Sequence, residues 1–240
     1  QEEAKDFTVK LYRKGLLKLL EQLLPKLDIQ TLGFESHYFL HSASIKMEKM
    51  AEKINVELVP FTDLIERMRV IKGEEEILLL RKSVRLNEQV FQTVYKNIAP
   101  GMTEVEIALA LEQTMREVGA ERPSFDTIVA FGENAAKPHA VPTNRVLRDG
   151  EIVLIDMGLV LDGYCSDMTR TFTIGTPDPI FVERQRVVRK AQQAGFKAIH
   201  AGALCREVDN AARQVINDAG YGDCFGHGLG HGVGLAVHEG

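Results

Sequence analysis

Tryptophan is absent from the 240 residues, and cysteine occurs only three times, at Cys165, Cys205 and Cys224. The three are scattered without Cys-x-x-Cys spacing, so neither a disulfide framework nor a thiolate zinc knot is indicated. They read as free structural thiols. No apolar stretch approaches the roughly 20 residues that cross a bilayer, and no basic, apolar and small-residue signal pattern opens the chain. A cytoplasmic location is the default expectation. Positive charge is not in excess either: the formal net charge is -5, with both signs mixed along the chain. That excludes a basic nucleic-acid face and a polybasic membrane anchor, leaving a small substrate as the expected partner.

What is present suits a soluble core. At 45% hydrophobic and 26% charged, the chain has the apolar content of one large domain or two smaller ones. It opens on Gln1 rather than methionine and closes on Gly240, just after a dense run of histidine and glycine, so it is read as a fragment.

Residues 1–70 suggest a helix from Val9 to Leu24, a turn at Gly33-Phe34-Glu35, a second helix near Ile45 to Lys53 and an extended run from Val56 to Pro60. No chemistry is concentrated there. A long amphipathic stretch from Glu74 to Ile98 follows, ended by Pro100-Gly101, and the domain boundary is placed just before it, giving domains 1–70 and 71–240. Thr103 with Glu106 three positions later predicts a capping box that opens a helix running to Val118. Displaced by 101 positions, Lys96, Ile98, Gly101, Glu106, Ala110, Gln113 and Gly119 fall on Lys197, Ile199, Gly202, Glu207, Ala211, Gln214 and Gly220. Two copies are too few for a solenoid, so a duplicated α/β half is the better reading.

The chemistry begins at residues 151–174, two β-rich runs around Asp162-Gly163, a strong two-residue hairpin signal. Pairing Leu161 with Tyr164 sets Asp156 opposite Thr169 and Asp167 opposite Gly158, which makes the two aspartates diagonal neighbours on one face. Ile152, Val153, Leu154 and Ile155 before Asp156 suggest a strand covered on both faces. Burying a carboxylate there is costly unless it is paired or binds metal. By itself the hairpin leaves structural aspartates and a metal site equally open.

The tail separates the two readings. Residues 226–239 place His227, His231 and His238 within 12 positions, and glycines flank His231 on both sides. Such glycines let a histidine backbone enter a crowded site. Carboxylate and imidazole donors without thiolate suit Mn²⁺, Co²⁺ or Zn²⁺ in a hydrolytic site. Two such ions sharing carboxylates can hold a bridging hydroxide as nucleophile while one polarises a scissile carbonyl.

Pro138-His139-Ala140, Ile155-Asp156-Met157-Gly158, Tyr164 to Phe172 and Gly230 to Glu239 resemble the motifs of the pita-bread metallopeptidases, in their prolidase and Xaa-Pro aminopeptidase branch. The resemblance covers roughly residues 70–240, and the segment before it is similar to the end of a creatinase-like N-terminal domain. The implied fold is a pita-bread α/β (α+β) architecture with duplicated halves. The implied activity is hydrolysis of the Xaa-Pro bond in a dipeptide or longer peptide by a homodimer carrying two divalent metal ions, Mn²⁺ or Co²⁺ ahead of Zn²⁺. Carried over by position, Asp156, Asp167 and His231 match metal ligands, with Asp167 bridging both ions. His139, His227 and His238 match substrate-site histidines, and His139 and His238 are also the catalytic candidates that stabilise developing charge. Thr169 is expected to support Asp156 from outside the ligand set. His37, His41 and His200 match no motif and are read as structural.

Two departures stand out. The resemblance implies two further glutamate ligands downstream of the His238-Glu239 pair, so three of five ligands are in hand and this segment alone is expected to be inactive. Ala236 occupies a position that is often acidic in the family. The competing readings are a methionine aminopeptidase, against which His227 and the Arg69 to Lys72 segment weigh, and a pita-bread module that only binds peptides. A creatinase-like amidinohydrolase, needing no metal pair, is disfavoured because the metal-type residues are intact.

Overall fold

The structure is a computed structural model and describes residues 6–240; the first five residues of the expected N-terminal domain lie outside the described part. The chain divides into two compact units, Gln1–Met68 and Arg69–Gly240. In the first, α1 (Leu16–Leu23), β1 (Thr31–Glu35), α2 (His41–Lys53), β2 (Glu57–Phe61) and the start of α3 (Leu64–Val70) succeed one another. Strands β1 and β2 run parallel, with Thr31 opposite Glu57 and Glu35 opposite Phe61, and Leu24, Ala51 and Val56 form the small core beside them.

Two expectations are corrected here. The helix expected from Val9 begins only at Leu16, because Gly15 has φ of 90° and the residues before it are exposed, with no face to bury. Gly33 lies inside β1 rather than in a turn, and the ring of Phe61 covers the place where a side chain would stand.

The second unit is built from α4 (Glu74–Tyr95), α5 (Glu104–Glu117), six strands and the helix pair α6 (Pro179–Ala198) and α7 (Cys205–Asp218). The strands are β3 (Arg122–Pro123), β4 (Ile128–Phe131), β5 (Ile152–Met157), β6 (Leu159–Leu161), β7 (Tyr164–Cys165) and β8 (Met168–Thr173). They form two antiparallel sheets, in the orders β3-β6-β7 and β4-β5-β8. Val90, Phe91, Ile107, Leu111, Met115, Phe131, Val153, Ile155 and Met157 fill the core between α4, α5 and the β4-β5-β8 sheet.

The helical part of the expected duplication is visible in this unit. Helices α5 and α7 occupy equivalent spans, and each ends at a glycine of positive φ, Gly119 at 94° and Gly220 at 80°. In both copies the next residue closes the helix end, Ala120 N–H donating to Met115 and Tyr221 N–H to Ile216. The starts differ. Thr103 and Glu106 form the expected capping box, with Glu106 N–H to Thr103 Oγ1 at 3.1 Å and Thr103 N–H to Glu106 Oε2 at 2.7 Å. Leu204, in the equivalent place, offers no side-chain cap.

Candidate metal centre

The Asp162-Gly163 hairpin adopts the expected register. Both turn residues have positive φ, 50° and 81°, Leu161 faces Tyr164, and Asp156 faces Thr169. The ribbon does not stay flat. It changes sheets at Gly158, between β5 and β6, where a side chain would overlap the carbonyl of Ser166 and the hydroxyl of Ser124. Ser124 N–H donates to Gly158 O at 3.0 Å, and Ser124 Oγ donates to Ser166 O at 2.8 Å. From α4, Asn87 Nδ2 donates to Met157 O and the buried Ser83 hydroxyl to Leu159 O. This backbone knot sets Asp156 on one side of the bend and Asp167 just after β7.

Strand β5 is covered less evenly than its apolar run suggests. Val153, Ile155 and Met157 are buried, whereas Ile152, Leu154 and Asp156 on the alternate face are only half-buried. Asp156 thus stands on the open face of the strand, where Thr169 Oγ1 donates to its Oδ1 at 2.7 Å.

Histidine reaches this face on a glycine-rich loop. Gly232 and Glu239 exchange backbone hydrogen bonds of 2.9 Å, which closes residues 232–239 into a hairpin-like loop. Cys165 N–H donates to Gly234 O at 2.7 Å, docking that loop beside β7 two residues before Asp167. His231 Nε2 lies 3.4 Å from Asp167 Oδ2, and the His238 ring lies on that of His231 with centroids 4.0 Å apart. The Nδ1 of His231 sits 2.8 Å from the carbonyl oxygen of Gly232, a partner that can only accept. With Nδ1 donating to that carbonyl, Nε2 of the neutral ring is available as a lone-pair donor to a metal. His227 has the same arrangement, Nδ1 to Gly228 O at 2.8 Å.

An imidazole nitrogen and a carboxylate oxygen so placed can share a proton or a cation. Opposing influences act on Asp167. Loss of solvent raises its pKa, the nearby Asp156 charge raises it further, and His231 and His238 oppose the rise. Its side chain keeps 26% exposure, so the pair is open to an entering ion. Among the described residues no three His, Cys, Asp or Glu side chains already enclose a metal position. Asp167 and His231 are brought together, while Asp156 is turned to Thr169. The donor chemistry fits a divalent ion: two carboxylates and an imidazole whose Nε2 faces one of them.

The other two candidate histidines are His139 and His227. His139 lies on an exposed turn after the 3-10 segment Gly132–Ala136. Its neighbour Pro138 and His227 line one cavity of about 470 Å³, whose wall also includes Ala135, Ala136, Leu154 and Cys224. His227 is held by α7: Arg213 donates to the carbonyls of Phe225 and His227 at 2.8 Å while paired with Asp209 at 2.7 Å.

Two groups were not singled out by sequence reasoning. Glu104, at the start of α5 and fully buried, accepts from Phe131 N–H at 2.7 Å, Thr143 N–H at 2.9 Å, the Thr143 hydroxyl at 2.6 Å and Asn134 Nδ2 at 3.0 Å. It thereby ties both ends of the segment that carries His139. Glu239 is the second. Burial would raise its pKa, but hydrogen bonds from Lys72 and Arg69 outweigh that and hold it at about 2. The only sequence signal for it was its place beside His238.

Comparison with known proteins agrees with this architecture. The sequence model of the creatinase/prolidase N-terminal domain matches residues 1–71, and that of metallopeptidase family M24 matches residues 79–240. An Xaa-Pro dipeptidase of Pyrococcus furiosus is 38% identical over 214 residues, covering 88% of this chain and 60% of that protein. An uncharacterized peptidase of Bacillus subtilis is 34% identical over 237 residues, covering 99% of this chain and 67% of that protein. Among solved structures, an X-Pro aminopeptidase from Thermotoga maritima superposes with a TM-score of 0.91 at 35% identity, covering 100% of this chain and 68% of that one. An Xaa-Pro dipeptidase from Bacillus anthracis superposes with a TM-score of 0.94 at 36% identity, covering 100% and 66%. The chain thus spans roughly three-fifths to two-thirds of the length of these relatives. The fold is the expected mixed α/β architecture of the pita-bread prolidases, and with a family match over residues 79–240 the chain belongs to metallopeptidase family M24.

Proposed function

We propose that the whole protein is a metal-dependent exopeptidase that hydrolyses the Xaa-Pro peptide bond, as an Xaa-Pro dipeptidase or aminopeptidase. The observation that carries this reading is the approach of His231 Nε2 to Asp167 Oδ2 at 3.4 Å beside Asp156. Asp156, Asp167 and His231 would hold divalent metal, Mn²⁺ or Co²⁺ in preference to Zn²⁺. When bound, such ions polarise a scissile carbonyl and lower the pKa of water.

The chain's own residues do the rest. The Thr169 hydroxyl fixes the direction of Asp156, and the Gly232 carbonyl, by accepting from Nδ1, would leave Nε2 of His231 for the metal. His139 and His238 donate hydrogen bonds to the carbonyl oxygen as it gains charge, and His227 orients the peptide. In the cavity beside His227, Ala135, Ala136, Pro138 and Leu154 offer an apolar side to a proline ring, and Lys137 and Asp223 offer charged groups to the rest of a peptide. The specificity and identity of the relatives named above support a proline-containing dipeptide or peptide substrate. A cytoplasmic homodimer is part of this proposal.

The test compares hydrolysis of Ala-Pro and Met-Gly by the whole protein, stripped by chelator and then reloaded with Mn²⁺ or Co²⁺. Cleavage of Ala-Pro that returns with metal supports the reading. Preference for Met-Gly would point to a methionine aminopeptidase, and silence towards both to a peptide-binding module. His139→Ala is expected to retain metal and lose mainly kcat.

A further inference from the structure

The histidine loop has an anchor outside the ligand set. Glu239 closes the 232–239 loop through its backbone, while its side chain, only 6% exposed, meets two cations, Arg69 in the last turn of α3 and Lys72 just before α4. Lys72 Nζ lies 2.8 Å from Oε2, Arg69 Nε lies 3.1 Å from Oε1 with a second Arg69 nitrogen on the same oxygen, and Ala236 N–H donates to Oε1 at 3.1 Å. The carboxylate also fills the space beside Gly234, where a side chain would collide with it. Gly234 is the residue whose carbonyl accepts from Cys165.

The same short stretch moors the aspartate hairpin. Glu76 accepts from Gly73 N–H at 2.7 Å, capping α4, and from the Tyr164 hydroxyl at 2.9 Å. Residues 69–76 thus hold both partners of the site: Tyr164 precedes Asp167 by three positions, and Glu239 follows His238 directly. Loop glycines are conformationally permissive, so something beyond the loop must fix where His231 and His238 stand.

We infer that Glu239 is a positioning residue: its ion pairs with Arg69 and Lys72 hold the 232–239 loop so that His231 faces Asp167 and His238 stacks on His231. Buried charges joined by several charge-assisted hydrogen bonds are strong and directional, and their loss leaves two cations facing nothing. The link to catalysis rests on the metal reading above; the link to loop geometry does not.

The experiment follows the imidazole proton resonances of His231 and His238 together with Co²⁺ affinity, in the unaltered chain and in Glu239→Gln. The expected result is loss of the mutual ring-current shifts of His231 and His238, with their signals moving towards those of exposed His41, while His227, anchored by Arg213, is unchanged. Co²⁺ affinity falls about tenfold, the scale for removing a group that supports a ligand. Arg69→Met combined with Lys72→Met should reproduce the change, and adding Glu239→Gln to that pair should change little more, as for members of one network. Unchanged His231 and His238 signals in Glu239→Gln would overturn the inference, as would movement of every histidine signal alike, which marks general loss of structure. Should Glu239→Gln fail to fold, Lys72→Met alone is the milder lesion: partial displacement of the same two signals supports the inference and none overturns it. If the unaltered chain takes up no Co²⁺, the metal reading fails while the resonances still decide this one.

Discussion

His231 Nε2 and Asp167 Oδ2 meet across 3.4 Å, while the opposite ring nitrogen of His231 lies 2.8 Å from the Gly232 carbonyl oxygen. With Asp156 close by, this pair is the centre of the metal site proposed above. The groups that hold the segments carrying the candidate residues are the places where substitution tests this site.

Glu104 is the first of these. Its two oxygens accept five hydrogen bonds from four groups in a fully buried place. Glu104→Gln turns one oxygen into a donor facing donors, and the expected cost is about 3 kcal/mol of stability, the scale for an unsatisfied buried polar group beside lost charge-assisted bonds. The measurement is urea unfolding at neutral pH. A loss below about 0.5 kcal/mol, the level of an ordinary surface change, would show that the carboxylate does not organise the segment carrying His139.

Gly158 is the second. Its φ is not left-handed; the demand is for space, because the Ser166 carbonyl and Ser124 hydroxyl occupy the position of a side chain. Gly158→Ala should force the β5-β6 bend apart and cost about 2 kcal/mol or more, as overpacking does. It should also weaken metal binding, because Asp156 and Asp167 lie on opposite sides of the bend. Thermal unfolding together with Co²⁺ titration checks both effects. Full stability would mean that the bend relaxes freely.

The acid behaviour of Glu239 has a definite sign. Its folded pKa, about 2, lies below the ordinary 4.5, so the ionised form is the stabilised one. The contribution is present above about pH 4.5 and is lost as pH falls towards 2. Glu239→Gln lacks it at every pH. The stability gap between the two chains should therefore be constant near neutral pH and shrink steadily below about pH 4.5, by urea unfolding at several pH values. An equal gap near pH 3 and near pH 7 would contradict the clamp.

The parts of this structure that were legible in the sequence are those fixed by local chemistry. Asp162-Gly163 dictates a two-residue turn, and the turn dictates the register that faces Asp156 with Thr169. Thr103 and Glu106 announce the start of α5, and the glycines at 119 and 220 announce the ends of the paired helices. The start of α1 was misplaced because an apolar pattern continues past Gly15 where the chain has nothing to pack against. The clamp of Glu239 by Arg69 and Lys72 joins residues 170 and 167 positions apart, and no periodicity carries such a pairing. Glu104 was hidden in the same way, since a glutamate in the first turn of a helix ordinarily needs no explanation beyond the helix dipole.

The most direct measurement is a calorimetric titration of the metal-free chain with Co²⁺, run side by side with Asp167→Asn. An amide supplies neither the charge nor the second anionic oxygen of the carboxylate facing His231, so binding should be saturable in the unaltered chain and lost in the variant. With three donors from this segment, affinity is expected to be modest and loading incomplete. Equal Co²⁺ binding by the two chains, or none by the unaltered one, would contradict the assignment of Asp156, Asp167 and His231 as the metal site.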